Sequence, residues 1–121
     1  MQLSGVMLNS ENPKALGEFY TKVLGKPGWQ DGEWYGFGDN KSSLMVGPHS
    51  EVKGKNVTPG RLMLSFTVKD VATEFERIEK LGATVVAKPY QPDEDSSPDM
   101  WLATLADPDG NYLRLSRRWG R

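Results

Sequence analysis

The segment GVMLNSENPKALGEFYTKVLG, residues 5–25, carries the signals of a strand followed by a capped helix. Asn12 is a favoured N-cap residue, and Pro13 suits the first helical position because its missing N–H would be unbonded there in any case. The apolar residues that follow recur at helical spacing: Leu16, Phe19, Tyr20, Val23 and Leu24. The segment therefore predicts a strand over residues 3–9 and a helix over Pro13–Leu24.

The same order of elements occurs a second time. Residues 61–68 (RLMLSFTV) alternate as a half-buried strand should, and Asp70 can cap a second helix. The inner face of that helix would carry Val71, Phe75, Ile78 and Leu81. The two helix ends, Leu24-Gly25 and Leu81-Gly82, lie 57 residues apart (25 to 82). Such self-similarity at a fixed period indicates a repeated supersecondary unit.

Three short strands follow each helix. They are predicted at residues 28–31, 33–38 and 43–47 in the first half, and at 83–88, 100–106 and 111–116 in the second. The sequence therefore predicts an α+β fold of two βαβββ modules in a single domain over 1–121, with module one at about 1–58 and module two at about 59–121. Two further segments are predicted as irregular: a linker over 47–60 and an exposed loop over 89–99.

Charge and composition exclude several classes of function. The chain has 15 Lys and Arg against 16 Asp and Glu, so it has no basic excess for nucleic acid or an anionic membrane surface. It has no Cys, which removes disulfides, thiolate nucleophiles and zinc–cysteine sites. We expect a cytoplasmic protein, because the sequence has no Cys, no long apolar run and no signal-peptide pattern.

Metal-binding residues are sparse. His49 is the single histidine and lies in the predicted linker, so one chain cannot build a site with two histidines. The remaining candidates are carboxylates in turns or loops without the spacing of metal ligands: Glu33, Glu51, Asp93, Glu94 and Asp95.

Two stretches resemble a known superfamily. Residues 5–25 are similar to the first strand and helix, and LATLADPDGNYLRL (102–115) to the closing hairpin, of the vicinal oxygen chelate superfamily. This superfamily holds glyoxalases, bleomycin-resistance proteins, fosfomycin-resistance enzymes and extradiol dioxygenases. The resemblance covers essentially the whole chain. It implies a cupped mixed sheet with the helices on its convex face, a ligand on the concave face at a module junction, and a homodimer.

The resemblance also indicates where a metal would be bound. Metal-dependent members place His or Gln at the position matching Gly5, His at the position matching Met63, and Glu at the position matching Arg114. Glycine has no ligating side chain, a thioether is a poor ligand for hard or borderline ions, and arginine is a fixed cation. We therefore expect no metal site and no cofactor.

Alternation along the strands predicts which residues face the cup. The apolar residues should pack under the helices: Val6, Leu8, Leu62, Leu64, Phe66, Val68, Leu113 and Leu115. The alternate residues then line the cup: Gly5, Met7, Asn9, Met63, Ser65, Thr67, Tyr112, Arg114 and Ser116.

Arg114 is the most informative of these residues. A guanidinium on a partly desolvated concave face favours a carboxylate, phosphate or enolate on a ligand. Two other interpretations remain open from sequence: Arg114 pairs with an internal carboxylate, or it reaches solvent along an open sheet face.

Aromatic residues form the second candidate feature. Trp34 and Trp101 are predicted to line the cup, where aromatic and Met side chains suit a flat apolar or cationic molecule. Core or interface packing is the alternative for each. Trp34 shares a face with Gly36, and Tyr35 shares the other with Phe37, and the sequence does not say which face is the cup.

A third feature is the acidic run Asp93-Glu94-Asp95, joined by Asp99. It is interpreted either as a rim that attracts a cation or as a solvated loop.

Our leading hypothesis is a metal-independent protein of the bleomycin-resistance or drug-sequestering type, which would confer antibiotic resistance by binding a small aromatic or amphipathic molecule. The first alternative is a metal-dependent lyase, isomerase or dioxygenase of the same superfamily. The second is a partner-binding domain whose cup is filled by its own side chains. Whether the protein is an enzyme is left open. The expected partners are a small-molecule ligand and a second copy of the chain, without nucleic acid or membrane.

Overall fold

The computed structural model describes residues 1–38, 43–92 and 99–117. The chain divides into two compact units, Met1–Lys55 and Asn56–Arg121. The first unit contains β1 (Val6–Ser10), α1 (Pro13–Leu24), β2 (Trp29–Asp31), β3 (Trp34–Phe37) and β4 (Leu44–Pro48). The second contains a 3₁₀ turn (Pro59–Arg61), β5 (Leu64–Val68), α2 (Val71–Lys80), β6 (Thr84–Tyr90), β7 (Leu102–Ala106) and β8 (Tyr112–Arg117).

Both units have the same sheet topology. The strand order is β1-β4-β3-β2 in the first sheet and β5-β8-β7-β6 in the second. In each sheet the strand before the helix pairs in parallel with the last strand of the unit, and the other pairings are antiparallel. The predicted α+β fold of two βαβββ modules is confirmed.

Helix α1 has the predicted bounds. The Asn12 side chain accepts a hydrogen bond from the Ala15 N–H at 3.4 Å, as an N-cap residue does. The buried face of the helix carries Pro13, Leu16, Gly17, Phe19, Tyr20 and Val23. These residues recur every three to four positions, which is why one face of the helix packs on the first sheet.

Helix α2 begins at the predicted cap. Asp70 Oδ1 accepts a hydrogen bond from the Thr73 N–H at 3.3 Å. Val71, Phe75 and Ile78 are buried, as their spacing predicts. The helix contacts β6, β7 and β8 of its own sheet.

The strand predicted over 61–68 is shorter than expected. It begins only at Leu64, because Pro59–Arg61 forms a 3₁₀ turn and the next two residues, Leu62 and Met63, belong to no strand. The prediction that Leu62 packs under the helix is wrong: its side chain is 63% exposed. A residue outside the ladder is not held to the alternation of the strand, so Leu62 is not required to face the helix.

The other strand ends also differ by a few residues. β1 begins at Val6 rather than at residue 3, and β6 continues to Tyr90, into the segment predicted as a loop over 89–99. The acidic residues Asp93–Asp95 of that loop lie outside the described residues.

The turn between β7 and β8 lies in the stretch that resembles a closing hairpin and is strongly hydrogen-bonded. The Gly110 N–H donates to the Asp107 carbonyl at 2.9 Å, which closes a β-turn. Asp107 is only 4% exposed, and its Oδ1 accepts from the backbone N–H groups of Asp109 and Asn111 at 2.9 and 3.0 Å. Asn56 donates to the Asn111 side chain at 3.0 Å and so attaches the start of the second unit to this turn.

Candidate functional site: the open faces of the two sheets

The side of the second sheet that α2 covers is identified by its register. Leu64 pairs with Leu113, and Leu113 pairs with Leu105. Leu113 and Leu105 are fully buried, and Phe75 and Ile78 of the helix that packs on this sheet are buried as well. Side chains of paired residues lie on the same face, so this row marks the helix-covered side of the sheet.

The next row belongs to the opposite side, which we call the open face of the second sheet. Ser65 pairs with Arg114, and Arg114 pairs with Thr104. Alternation extends this face to the residues two positions away on each strand. Its members on β5, β8 and β7 are Ser65, Thr67, Tyr112, Arg114, Ser116, Leu102, Thr104 and Ala106.

Five of the residues predicted from sequence are thereby brought together on one face: Ser65, Thr67, Tyr112, Arg114 and Ser116. Ser65 and Thr67 are exposed, while Arg114 is half-buried. Met63 precedes β5 and is half-buried, so no strand pairing assigns it to this face.

Arg114 is hydrogen-bonded incompletely. Its Nε is buried and has no hydrogen-bond partner. The ion pairs within the described residues are Lys53–Glu11, Arg77–Glu74 and Arg117–Asp99, and none of them involves Arg114. The structure thus holds a charged donor on the open face of the second sheet with unused hydrogen-bonding capacity.

The open face of the first sheet is apolar. Met7 pairs with Met45, Met45 with Gly36, and Gly36 with Trp29, so these four residues form one row. Met7 is 59% exposed and Trp29 is 43% exposed. A row with two methionines and a tryptophan is an adaptable apolar surface.

The orientation of β3, left open by the sequence, is decided by packing. Gly17 of α1 lies so close to the Tyr35 ring that a Cβ there would overlap the ring. Tyr35 and Phe37 are both buried, and their rings stack with centroids 6.4 Å apart. Tyr35 and Phe37 therefore face α1, and Trp34 and Gly36 lie on the open face.

Asn9 is a polar residue of this largely apolar face. It pairs with Gly47 of β4, and its Oδ1 is buried without a hydrogen-bond partner. The structure places both Met7 and Asn9 on the open face of the first sheet, as alternation predicts for β1.

Trp101 lies elsewhere. It precedes β7, is 40% exposed, and lines a cavity beside the first residues of α2 together with Lys69 and Arg117. This cavity is on the opposite side of the strand from Arg114, because Arg117 pairs with Val68 and alternates with Ser116 of the open face.

The residues at the expected metal positions do not fit a metal ion. Gly5 has no side chain to offer, and Arg114 presents a fixed cation on the open face. Within residues 1–38, 43–92 and 99–117, no three His, Asp or Glu side chains are grouped as a metal would need. His49 is exposed, and its Nδ1 accepts a hydrogen bond from the Glu51 N–H at 3.1 Å.

A family model described as the glyoxalase-like domain matches residues 5–116. The chain belongs to the glyoxalase-like domain family. The resemblance to the vicinal oxygen chelate superfamily is therefore confirmed. A search of curated proteins gives no significant match.

Solved structures support the same fold for this glyoxalase-like domain. A glyoxalase-related enzyme from Fulvimarina pelagi aligns with a TM-score of 0.75 at 21% identity, covering 98% of this chain and 88% of that one. A glyoxalase/bleomycin resistance protein/dioxygenase family enzyme from Burkholderia phytofirmans PsJN aligns with a TM-score of 0.68 at 23% identity, covering 97% and 98%. A glyoxalase/bleomycin resistance protein from Albidiferax ferrireducens T118 aligns with a TM-score of 0.71 at 18% identity, covering 95% of this chain and 98% of that one. At these identities the likeness concerns the fold.

Several open-face residues of this glyoxalase-like domain were not predicted from sequence. Thr104 is buried in β7. All five residues of this strand are buried, so the strand does not alternate between exposed and buried residues, and alternation could not assign its faces. One signal was available, because Thr104 is the single polar residue of LATLA. Met45 of β4 and Trp29 of β2 are assigned to the open face of the first sheet by their pairing with Gly36 of β3. The sequence of a single strand carries no signal for such pairing.

Within the described residues, neither helix is both long enough and apolar enough to cross a membrane.

Proposed function

We propose that this glyoxalase-like domain binds a small organic molecule that carries an anionic group beside an aromatic or apolar part, and that it does so without a resident metal ion. The anion is held by Arg114 on the open face of the second sheet. The observation that carries the proposal is the buried Arg114 Nε without a hydrogen-bond partner.

An unpaired buried donor is unfavourable in the ligand-free protein. Leaving such a group without a partner costs about 1–3 kcal/mol, and more when the group is charged. A carboxylate or phosphate can accept two parallel hydrogen bonds from a guanidinium, which removes this penalty. Binding therefore gains both the charge interaction and the satisfaction of Nε.

The neighbours of Arg114 suit an amphipathic ligand. Ser65 and Thr104 flank it across the two adjacent strands and supply hydroxyl groups. Leu102 and Ala106 of β7 belong to the same face and are buried, so they supply an apolar floor. The anionic group and the apolar part of one small molecule can thus be bound side by side.

The same face disfavours a divalent cation. Arg114 would repel it, and the neighbouring hydroxyls of Ser65 and Thr104 are weak ligands compared with carboxylates. Sequestration of a drug or metabolite requires binding alone, so this role needs no reacting group on the face.

The test is a paired ligand screen by calorimetry. Aromatic carboxylates are compared with their uncharged alcohols, first on the wild-type protein and then on Arg114→Ala. We expect the carboxylate of a pair to bind more tightly and Arg114→Ala to lose ~1.5–3 kcal/mol of its binding free energy, the usual worth of a charge-assisted hydrogen bond. Arg77→Ala, on the exposed face of α2, is the matched control. Equal affinity of Arg114→Ala and the wild type for every ligand found would contradict the proposal.

Metal independence has a separate test. Elemental mass spectrometry of untagged protein should find no stoichiometric metal, and Zn²⁺, Mn²⁺, Ni²⁺ or Fe²⁺ should leave the melting temperature unchanged. A bound ion at a hundred times its Kd would stabilise the fold by about 2.7 kcal/mol, which a thermal shift detects readily. One equivalent of metal per chain would overturn this part of the proposal and favour a metal-dependent enzyme.

A further inference from the structure

A cavity of about 250 Å³ lies beside the start of α2 in the second unit. Its lining includes two cationic side chains, one indole and two apolar residues: Lys69, Arg117, Trp101, Val71 and Pro89. None of these residues belongs to the open face that carries Arg114. The cavity is therefore a feature that the proposed function does not use.

The charges around the cavity favour an anion. Lys69 is exposed and forms no ion pair with any described residue. Asp70 also lines the cavity and contributes one negative charge against the two positive charges of Lys69 and Arg117, and its Oδ1 accepts the Thr73 N–H that caps α2. Arg117 Nη1 lies 3.7 Å from an Asp99 carboxylate that is 71% exposed, and a long, solvated pair of this kind is weak. The two cations thus supply charged hydrogen-bond donors to the cavity and give its lining a positive excess.

The apolar part of the lining favours an aromatic ring. Trp101 remains 40% exposed even though its backbone is fixed by the hydrogen bond from the Arg117 N–H to its carbonyl, at 3.4 Å. Pro89 and Val71 line the same cavity, so a ring placed on the indole would also contact aliphatic surface. Indole faces bind flat rings well in offset or edge arrangements.

The volume limits the size of the ligand. Sites for drug-sized molecules measure roughly 300–1,000 Å³, so a cavity of about 250 Å³ suits a molecule of one ring and one small charged group. We propose that this cavity is a second binding site, distinct from the open face, which takes a small aromatic carboxylate with its ring on Trp101 and its carboxylate between Lys69 and Arg117.

The probe is benzoate, with benzyl alcohol as the uncharged ligand of the same shape. Titrations follow the indole Nε1–H signal of Trp101 by NMR at low salt, where a solvated charge pair is least screened. We expect benzoate to shift this signal with a Kd in the millimolar range and benzyl alcohol to bind several-fold more weakly. Lys69→Gln should weaken benzoate binding about threefold, since the charge of Lys69 and its hydrogen bond to the ligand are partly solvated. In Trp101→Ala combined with Arg114→Ala, so that the open face does not contribute, the benzoate affinity followed by calorimetry should be about tenfold lower than in Arg114→Ala alone.

Two control variants separate this site from other causes. Lys80→Gln removes another exposed lysine at the far end of α2, about 15 Å away at 1.5 Å per residue, and should leave benzoate affinity unchanged. Arg114→Ala removes the cation of the open face and should also leave the Trp101 signal and its Kd unchanged.

The outcomes distinguish the two proposals. Loss of benzoate binding in Arg114→Ala, with Lys69→Gln and Trp101→Ala unaffected, would overturn the cavity site and leave the proposed function standing. A Trp101 signal that does not move at about 10 mM benzoate would also overturn the cavity site. If Lys69→Gln and Lys80→Gln weaken benzoate binding equally, the effect reflects the net charge of the protein. That outcome would overturn the placement of the carboxylate beside Lys69.

Discussion

The indole of Trp34 lies directly against Gly47 on the neighbouring strand, in the space that a Cβ of residue 47 would occupy. Gly47 also pairs with Asn9 on its other side. The absence of a side chain at 47 thus lets Trp34 lie flat on the open face of the first sheet. This close approach holds the aromatic surface of that face in place.

Gly47→Ala should therefore destabilise the protein. The methyl group would overlap the indole, and overpacking of this kind costs about 1–3 kcal/mol. We expect a lower midpoint in urea unfolding and a shifted Trp34 indole signal in NMR. Gly60→Ala is the matched control, because a Cβ there meets nothing within 4 Å, and it should leave both readouts unchanged. A neutral Gly47→Ala would mean that Trp34 is free to move.

Gly17→Ala tests the helix-covered side of the same sheet. Alanine favours helices over glycine by about 1 kcal/mol, so propensity alone predicts stabilisation. The Cβ would overlap the ring of Tyr35, which is buried and stacked on Phe37 and cannot easily move away. We expect a net loss of about 1–3 kcal/mol in the free energy of unfolding.

A double-mutant cycle identifies the cause of that loss. If the Tyr35 ring is responsible, Gly17→Ala should cost less in a Tyr35→Leu background than in the wild type, because the smaller side chain leaves room for the methyl group. Additive losses in the two variants would place the strain elsewhere.

Arg114→Met should separate stability from binding. Methionine keeps much of the length of the side chain but removes the buried unpaired Nε–H. In the absence of ligand we expect the free energy of unfolding to be unchanged or raised by about 1 kcal/mol, while binding of an anionic ligand is lost. Destabilisation by about 3 kcal/mol or more, the usual cost of breaking a buried ion pair, would instead assign Arg114 to an internal partner.

Asp107→Ala should be the most destabilising of these changes. Its carboxylate accepts from the backbone N–H groups of Asp109 and Asn111 and from the Asn111 side chain, at 2.9–3.2 Å. Removing it leaves buried donors without partners, so we expect a loss of about 3 kcal/mol in urea unfolding. Asp31→Ala, an exposed carboxylate at the β2–β3 turn, is the control and should stay within about 0.5 kcal/mol. Similar losses for both would show that the hydrogen bonds of Asp107 contribute little.

The elements that the sequence predicted well are those with local signals. Both helix starts were identifiable because Asn12 and Asp70 bond to N–H groups three residues away, within one turn. The turn at Asp107–Gly110 is closed by an equally local hydrogen bond, from the Gly110 N–H to the Asp107 carbonyl. Strand ends were less certain: alternation continued from β5 back to Arg61 in the sequence, but the 3₁₀ turn at Pro59–Arg61 delays the ladder until Leu64.

The sequence by itself determined the two-module α+β fold, the α-helix positions and which residues of β5 and β8 alternate together, because caps, periodicity and alternation depend on neighbours within a few positions. Only strand pairing places Ser65 and Thr104 beside Arg114. Only the tertiary structure decided which face of β3 is open, since that depends on Gly17 of α1 meeting Tyr35. It alone placed Trp101 beside α2 rather than on the open face. Both outcomes depend on contacts between residues far apart in the chain, and no local pattern encodes which distant side chain will fill a given space.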